Sequence, residues 1–419
     1  MVSAEWTARG AGPRVWVASE LYYPEDTSTG YFLTGIAEGL ATEYEVSVLA
    51  AQPTYAARGR RSPARERVGG VEVRRCWSTT FPKDTSLLRL VNLATISLSF
   101  FLAGLRSFRR GDVVIAVTNP PTLPFLIWVA ARWRGSRFVL LIHDIYPEVL
   151  VATGFLRRDG LVARALSRLV AALYARADRI VVLGRDMKEL VHGKCPSCED
   201  RIWIIPNWGD TSEIRPAPKS ENTILRELNL VDRFVVLYAG NIGRTQGVDA
   251  LVEAAGLLRD RQDIAFLIAG DGARRLWVEK TIVEKKLGEV RLLPRSPRSD
   301  LGVLLGACDA AVISLMPGMT GISVPSRLYN VLAAGRPILA IAEPESELAR
   351  VVIEEGAGKV VAPGDGSAIA AAIIEMSQDR KSLFEMGERG RAAAVGKYSY
   401  PRVRDRFRNL VEDLAARNG

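Results

Sequence analysis

Short, β-rich apolar runs alternate with helix-patterned stretches along nearly the whole chain, and this alternation restricts it to parallel α/β sheets. RVWVASEL (Arg14 to Leu21) reads as a buried first strand. It is followed by the loop YYPEDTSTG, a helix from Tyr31 to about Thr42, and the strand EVSVLAA. DVVIAVTNPPTLP (Asp112 to Pro124) is a strand ending in a proline-rich loop before the helix FLIWVAARWRG. RFVLLIHDIYPEVLVATG (Arg137 to Gly154) repeats the pattern, and a helix near Leu161 to Arg176 leads into the strand RIVVLG. After the strand and turn RIWIIPNWGD, the stretch SEIRPAPKSENTI reads as a proline-rich linker. The rhythm then restarts with FVVLYA, IAFLIA, VRLL and AAVISL, so two similar α/β halves are expected around one cleft.

The chain has 419 residues, 48% apolar and 25% charged, enough for two or three domains with full cores. Four cysteines (76, 195, 198 and 308) are too few and scattered for a disulfide framework, so a reducing compartment is expected. CPSC (Cys195 to Cys198) offers at most three local metal ligands, counting His192; it is placed in a loop with a structural or incidental role. The first residues, MVSAEWTARGAG, lack the apolar core of a secretory leader. Through Asp210 there are 27 Lys and Arg against 20 Asp and Glu (+7), and beyond it 29 against 27 (+2), matching the overall +9. The basic half holds the clusters Arg58, Arg60, Arg61, Arg65, Arg67; Arg106, Arg109, Arg110; and Arg132, Arg134, Arg137, each either an ordinary soluble surface or a contact for an anionic partner. It also holds Leu87 to Leu105, apolar over 19 residues but interrupted by Arg89, Asn92, Thr95, Ser97 and Ser99. That is a poor spanning helix; it reads as amphipathic, buried against the sheet or dipping into a bilayer interface.

Chemistry concentrates where strands end. No GxGxxG follows the first strand, which disfavours a dinucleotide-dependent dehydrogenase, and no GxxxxGK[ST], DxD or His-rich cluster occurs. Three glycine-bearing turns instead follow apolar strands: Gly240 to Gly243, Gly270 to Gly272, and the loop from Pro317 that carries Gly318 and Gly321 into the helix LYNVLAA. Backbone N–H groups at such turns and helix starts suit phosphate, and Arg327 adds a cation. His143, Asp144 and Glu148 fall at another strand's carboxyl end, the usual ligand edge of an open sheet.

Together, HDIYPE, IPNW, AGNIGRTQGVDALVEAAGLL, IAGDG and GISVPSRLYNVLAAGRP resemble the family-4 glycosyltransferases along the whole chain, in particular bacterial transferases of N-acetylated amino sugars such as fucosamine in surface-polysaccharide assembly. The resemblance implies the GT-B fold. An N-terminal Rossmann-like acceptor domain would span 1–212 and a C-terminal Rossmann-like donor domain 213–395, with a helix at 396–419 packing back on the first. It implies a retaining transferase working in the cytoplasm, with peripheral contact at the inner face of the membrane, and with a UDP-sugar as donor and a polyprenyl-linked or glycan acceptor. It implies no cofactor and no metal. A GT-B-type UDP-sugar 2-epimerase, needing no acceptor, is the alternative. A nucleic-acid adaptor is disfavoured because no recognition helix or stacking pattern is present.

By resemblance, Gly30, Gly240, Asn241, Gly243, Arg244, Gln246, Gly270, Gly272, Ser326, Arg327 and Asn330 would bind the donor nucleotide and its phosphates. Thr320, Gly321 and Ser323 would meet the donor sugar, His143, Asp144 and Arg327 would be catalytic, and Glu148 would contact the acceptor. Many relatives have a glutamate pair where this chain has Thr320 and Asn330, and Arg and Lys where it has Asn241 and Gln246. Arg244 or Arg327 is therefore expected to supply the phosphate charge, and Asn330 to hydrogen-bond a ribose diol.

Overall fold

A computed structural model describes residues 12–53, 61–79, 81 and 86–416. The first half carries β1 (Val15–Ser19), α1 (Ser28–Leu40), β2 (Val46–Ala50), β3 (Arg65–Val68), β4 (Val71–Arg75), α2 (Ser86–Ser107), β5 (Val113–Val117) and α3 (Leu123–Arg134). It continues with β6 (Arg137–Leu141), α4 (Glu148–Ala152), α5 (Leu161–Tyr174), β7 (Arg179–Val182), α6 (Arg185–Lys194) and β8 (Ile202–Ile204). The second half carries α7 (Thr223–Glu227), β9 (Phe234–Ala239), α8 (Val248–Leu257), β10 (Ile264–Ala269), α9 (Arg275–Glu284), β11 (Val290–Leu293) and α10 (Leu301–Gly306). After them come β12 (Ala310–Ser314), α11 (Arg327–Ala333), β13 (Ile338–Ile341), α12 (Glu347–Glu354), β14 (Gly358–Val361), α13 (Gly366–Gln378), α14 (Arg380–Gly396) and α15 (Tyr400–Ala416).

Eight strands form the first sheet in the order β3-β4-β2-β1-β5-β6-β7-β8, and six form the second as β11-β10-β9-β12-β13-β14. All pairings are parallel except β3 with β4. The fold is therefore the expected pair of Rossmann-like sheets. The β3–β4 hairpin is an addition that the sequence reading left unassigned, and Arg65 and Arg67 of the expected basic cluster lie on its edge strand. Arg58 and Arg60 of that cluster lie outside the described residues.

Both faces of each sheet are buried, as strand alternation shows. In β1, Val15 and Val17 pack under α1 and α15, while Trp16 and Ala18 pack under α2, α3, α5 and α6. Val403, Phe407, Leu410, Val411 and Leu414 bind the last helix to the face formed by Phe32, Leu33, Ile36 and Leu40 of α1. In the second sheet, Val235 and Leu237 face α11 and α12, and Val236 and Tyr238 face α8 and α13.

Local details depart from the sequence reading for identifiable reasons. Helix α1 begins at Ser28 rather than Tyr31 because Thr27 adopts an extended conformation and its side chain caps Gly30 N–H. The CPSC stretch is not an open loop: Cys195 closes α6, residues 196–201 form a 3₁₀ turn, and Cys195 and Cys198 are joined by a disulfide across 5.6 Å between Cα atoms. The other two cysteines are buried free thiols, both pushed up to about 12 by burial. Helix α2 is amphipathic: Ile96 and Phe100 enter the core while Leu90, Val91, Leu98 and Leu102 stay exposed.

Replacing Phe407 with Ala should cost about 3–5 kcal/mol of unfolding free energy, because a buried aromatic leaves a cavity between α15 and α1. Denaturant titration checks this; a loss below about 1 kcal/mol would show that α15 does not belong to the first core.

Candidate active site

At the carboxyl edge of the second sheet, three adjacent strands, β10, β9 and β12, end in the three glycine-bearing turns singled out in the sequence. The turns pack on one another. Gly240 N–H donates to Ala269 O, and Ile242 N–H donates to Asp271 O. Gly240 (φ +147°) leaves room for Arg327, since a Cβ there would lie 2.7 Å from Nη1. Gly270 (φ +144°) is pressed against the Gly240 carbonyl, where any side chain would collide with backbone. The helices do not start directly after these turns: α8 begins at Val248 and α9 at Arg275, which leaves Asn241, Gly243, Arg244 and Gln246 in an irregular loop. Within it, Gly243 is wedged between the Asn241 and Gln246 side chains, and Gln246 Oε1 is buried without a hydrogen-bond partner.

Arg327 is the first residue of α11. Its guanidinium lies over the Tyr238 ring at 4.7 Å, donates to Ala239 O at 3.3 Å and borders a cavity of about 30 Å³ shared with Asn330. The seven-residue α11 has a small dipole, so the guanidinium outweighs it at the start of this helix. The preceding residue, Ser326, shares a hydrogen bond of 2.7 Å with Ser28 in the first turn of α1. The N-termini of α1 and α11 thus meet across the boundary between the sheets. Gly30 is not a free donor here, because its N–H is bound by Thr27 Oγ1. Its own requirement is steric, since a Cβ would sit 2.6 Å from Glu25 O.

The Pro317–Ser326 loop bridges the two halves. From its own half, the Glu343 carboxylate accepts N–H bonds from Gly318 (2.9 Å) and Thr320 (3.3 Å) and a short bond from the Thr320 hydroxyl; Glu343 is held below the usual carboxylate range. From the other half, Asp186 Oδ2 accepts Gly321 N–H (3.0 Å), and Ile145 N–H donates to Ile322 O (2.9 Å). The same Asp186 oxygen accepts Glu347 N–H of α12 at 2.9 Å, while Glu347 Oε2 accepts both N–H and Nε of Arg185 at 2.9 Å. Each carboxylate therefore caps the other domain's helix, and both are buried, at 4% and 7% exposure. Burial pushes the Asp186 carboxyl up despite its three backbone donors.

Several sequence-singled residues are thus occupied in ways the pattern does not foretell. Asn330 is buried, and its Oδ1 accepts Asp210 N–H (3.1 Å) from the turn before the linker instead of standing open to a diol. Thr320 is tied to Glu343. Glu148 forms an ion pair with Lys194 (2.7 Å) at the start of α4. Arg244 is exposed and lies over Phe155 (5.9 Å), reaching across to the first half. Gly272 packs on Ile242 O, and Ser323 is half-buried in the bridging loop. Sequence reasoning missed Asp186, Glu343 and Glu347. It also missed Arg295 and Arg298 after β11: the first binds Asp26 and the second lies over the Tyr31 ring. Their only sequence signal is an arginine-rich turn, RSPRSD, after a strand.

At the carboxyl end of β6, Thr118 Oγ1 accepts the N–H of His143 (3.2 Å) and of Asp144 (3.4 Å) and fixes that turn. Both side chains are half-buried in the dense boundary between the sheets. Desolvation disfavours each charged form, lowering His143 to about 4 and raising Asp144 to about 6. At neutral pH the site therefore holds a neutral imidazole beside a carboxylate. Among the described residues, no group of three or more His, Cys, Asp or Glu is arranged to hold a metal ion.

Residues 29–208 match a glycosyl transferase 4-like domain, and residues 220–393 match glycosyl transferases group 1. The probable glycosyltransferase WbjE of Pseudomonas aeruginosa is 34% identical over 306 residues, 73% of this chain and 76% of its own. The chain belongs to this glycosyltransferase family. The putative colanic acid biosynthesis glycosyl transferase WcaI of Escherichia coli is 28% identical over 79% of this chain and 83% of its own. Among solved structures, sucrose-phosphate synthase from Thermosynechococcus elongatus superposes with TM-score 0.78 at 18% identity, covering 96% of this chain and 99% of that one. WaaG, a glycosyltransferase involved in lipopolysaccharide biosynthesis, superposes with TM-score 0.68 at 15% identity, covering 95% and 99%. These two likenesses establish the shared two-domain fold. The family is one of transferases, so the epimerase alternative is not favoured.

The imidazole proton signal of His143, assigned by its loss in His143→Gln, should keep its neutral position down to below pH 5 in an NMR titration. A midpoint near the ordinary value of about 6.5 would contradict its desolvation.

Proposed function

We propose that this glycosyltransferase moves a sugar, an N-acetylated amino sugar, from a UDP-linked donor to a lipid-linked or polysaccharide-precursor acceptor with retention of anomeric configuration. The observation that carries the donor half is the packing of the Gly240 turn, itself backed by the Gly270 turn, against the Arg327 guanidinium at the N-terminus of α11, opposite the first turn of α1. Glycines let a pyrophosphate approach the backbone, and a guanidinium meets its charge. The reading assigns that charge to Arg327, Arg244 and backbone donors, and calls for no metal.

In the reaction, the bond from the anomeric carbon to the β-phosphate oxygen breaks, and a bond to an acceptor hydroxyl oxygen forms on the same face. The acceptor proton goes to the departing phosphate. Arg327 stabilises the charge that grows on that oxygen, an electrostatic contribution realised in the transition state. Neutral His143 hydrogen-bonds the donor sugar, and ionised Asp144 accepts from a sugar or acceptor hydroxyl. Thr320, held by Glu343, lies in the loop assigned to the sugar and sets part of its preference.

The relatives' names place WcaI in colanic acid biosynthesis, which supports surface polysaccharide as the product class. A membrane contact is supported by the layer formed by α2, α3 and α5. These helices lie on one face of the first sheet, contain six arginines and no Asp or Glu, and expose Leu98, Leu102, Trp133, Leu161, Val162 and Leu169. Such a face suits the inner, cytoplasmic leaflet of the membrane, with arginines at the headgroups.

Arg327→Ala should reduce turnover of a UDP-sugar by roughly 10²–10³ while the melting temperature stays near that of the parent. Turnover within a few-fold of wild type would rule out its role on the diphosphate. In a separate assay, the protein should sediment with anionic vesicles at low salt and release as salt rises. Fully soluble behaviour at low salt would remove the membrane from the account.

A further inference from the structure

A cavity of about 350 Å³ lies between the two halves, lined on one side by α4 and the first turns of α5 and on the other by Pro317 and Gly318 at the start of the bridging loop. Its size is at the lower end of the ~300–1,000 Å³ typical of small-molecule sites. Whatever fills it lies against the loop assigned to the donor sugar. The wall carries three kinds of chemistry. Glu148 binds Lys194 through Oε1, but its Oε2 is buried with no hydrogen-bond partner, an acceptor awaiting a hydroxyl. Arg158 and Arg164 line the same cavity and are exposed, free to meet an anion. Between and beside them, the link from α4 to α5 and the start of α5 present Phe155, Leu161 and Val162 to solvent at 63%, 78% and 59% exposure. Phe155 also lies beneath Arg244 of the second half, so this segment covers the boundary between the sheets.

A buried acceptor for a hydroxyl, two cations for phosphate and an apolar lip form a combination that fits one class of molecule. We infer that this cavity receives the head of a lipid-linked glycosyl phosphate. Glu148 Oε2 accepts from a sugar hydroxyl, Arg158 and Arg164 hold the phosphate, and Phe155, Leu161 and Val162 cover the first isoprene units. The inference rests on the transferase reading above and assigns its acceptor to a particular place. It also gives the basic, apolar-studded helix layer a purpose. Because α5 belongs to that layer, a chain leaving the cavity along α5 enters the same surface that meets the bilayer.

The test uses the full chain and calorimetric binding of three probes: farnesyl diphosphate, inorganic pyrophosphate and UDP. Wild-type protein should bind farnesyl diphosphate more tightly than pyrophosphate. The double variant Arg158→Glu, Arg164→Glu should weaken farnesyl diphosphate by at least about tenfold and leave UDP unchanged, since a charge-assisted contact is typically worth that much or more. Leu161→Ser with Val162→Ser should weaken farnesyl diphosphate and leave pyrophosphate unchanged. Equal binding by the double arginine variant, no binding by the wild type, or displacement of farnesyl diphosphate by UDP would overturn the assignment. UDP binding reports separately on the donor reading: its failure with farnesyl diphosphate bound as described would sink the donor site and leave this one standing.

Discussion

The exchange of caps between Asp186 and Glu347 is the constraint on which the closed arrangement of the two sheets depends. Each carboxylate is nearly sealed from water, and each receives backbone N–H groups from the first turn of a helix in the other half. Buried carboxylates are tolerated only when such donors are present, and the helix N-termini add favourable dipole charge. Moving the halves apart would strand two desolvated anions and several N–H groups at once. Contacts at the boundary such as Arg350 with Glu189, or Arg295 with Asp26, are exposed and contribute little by comparison.

This arrangement matters because Asp186 holds more than a helix. Through Gly321 N–H it holds the bridging loop, whose other end leads into Ser326 and Arg327. Glu343 fixes the opposite end of the same loop from the second sheet. The shape of the loop is therefore set jointly by both halves, and the guanidinium that anchors the donor reading follows the position of the first half. On the proposed reading, the groups assigned to the donor are in place only when the halves are together, so their positioning depends on the contact between the halves.

Much of this architecture was legible in the sequence because it follows from local pattern. Apolar runs gave the strands, restarting after the linker gave two sheets, and glycines following strands gave the turns that come together at β9, β10 and β12. The match of several motifs in order gave the family. What remained hidden depends on partners distant in sequence. Asp186 and Glu347 lie 161 residues apart and have no motif in common. Glu343 meets Thr320 from the segment after the neighbouring strand, and the turn at Asp210, not a ligand, claims the Asn330 oxygen. The Thr27 cap could have been read locally, since an N-cap threonine before a small-residue turn is a recognisable helix start. The β3–β4 hairpin also carried a signal, in RERVGGVEV, with its central Gly-Gly turn.

Hydrogen–deuterium exchange on Asp186→Ala, with and without UDP, tests the central claim most directly. Amides around Gly321 and Ile322 should exchange faster in the variant, those at Gly240 and Gly270 should be unchanged, and UDP should still slow exchange at the latter two. Unchanged protection at Gly321 and Ile322 in the variant would contradict it.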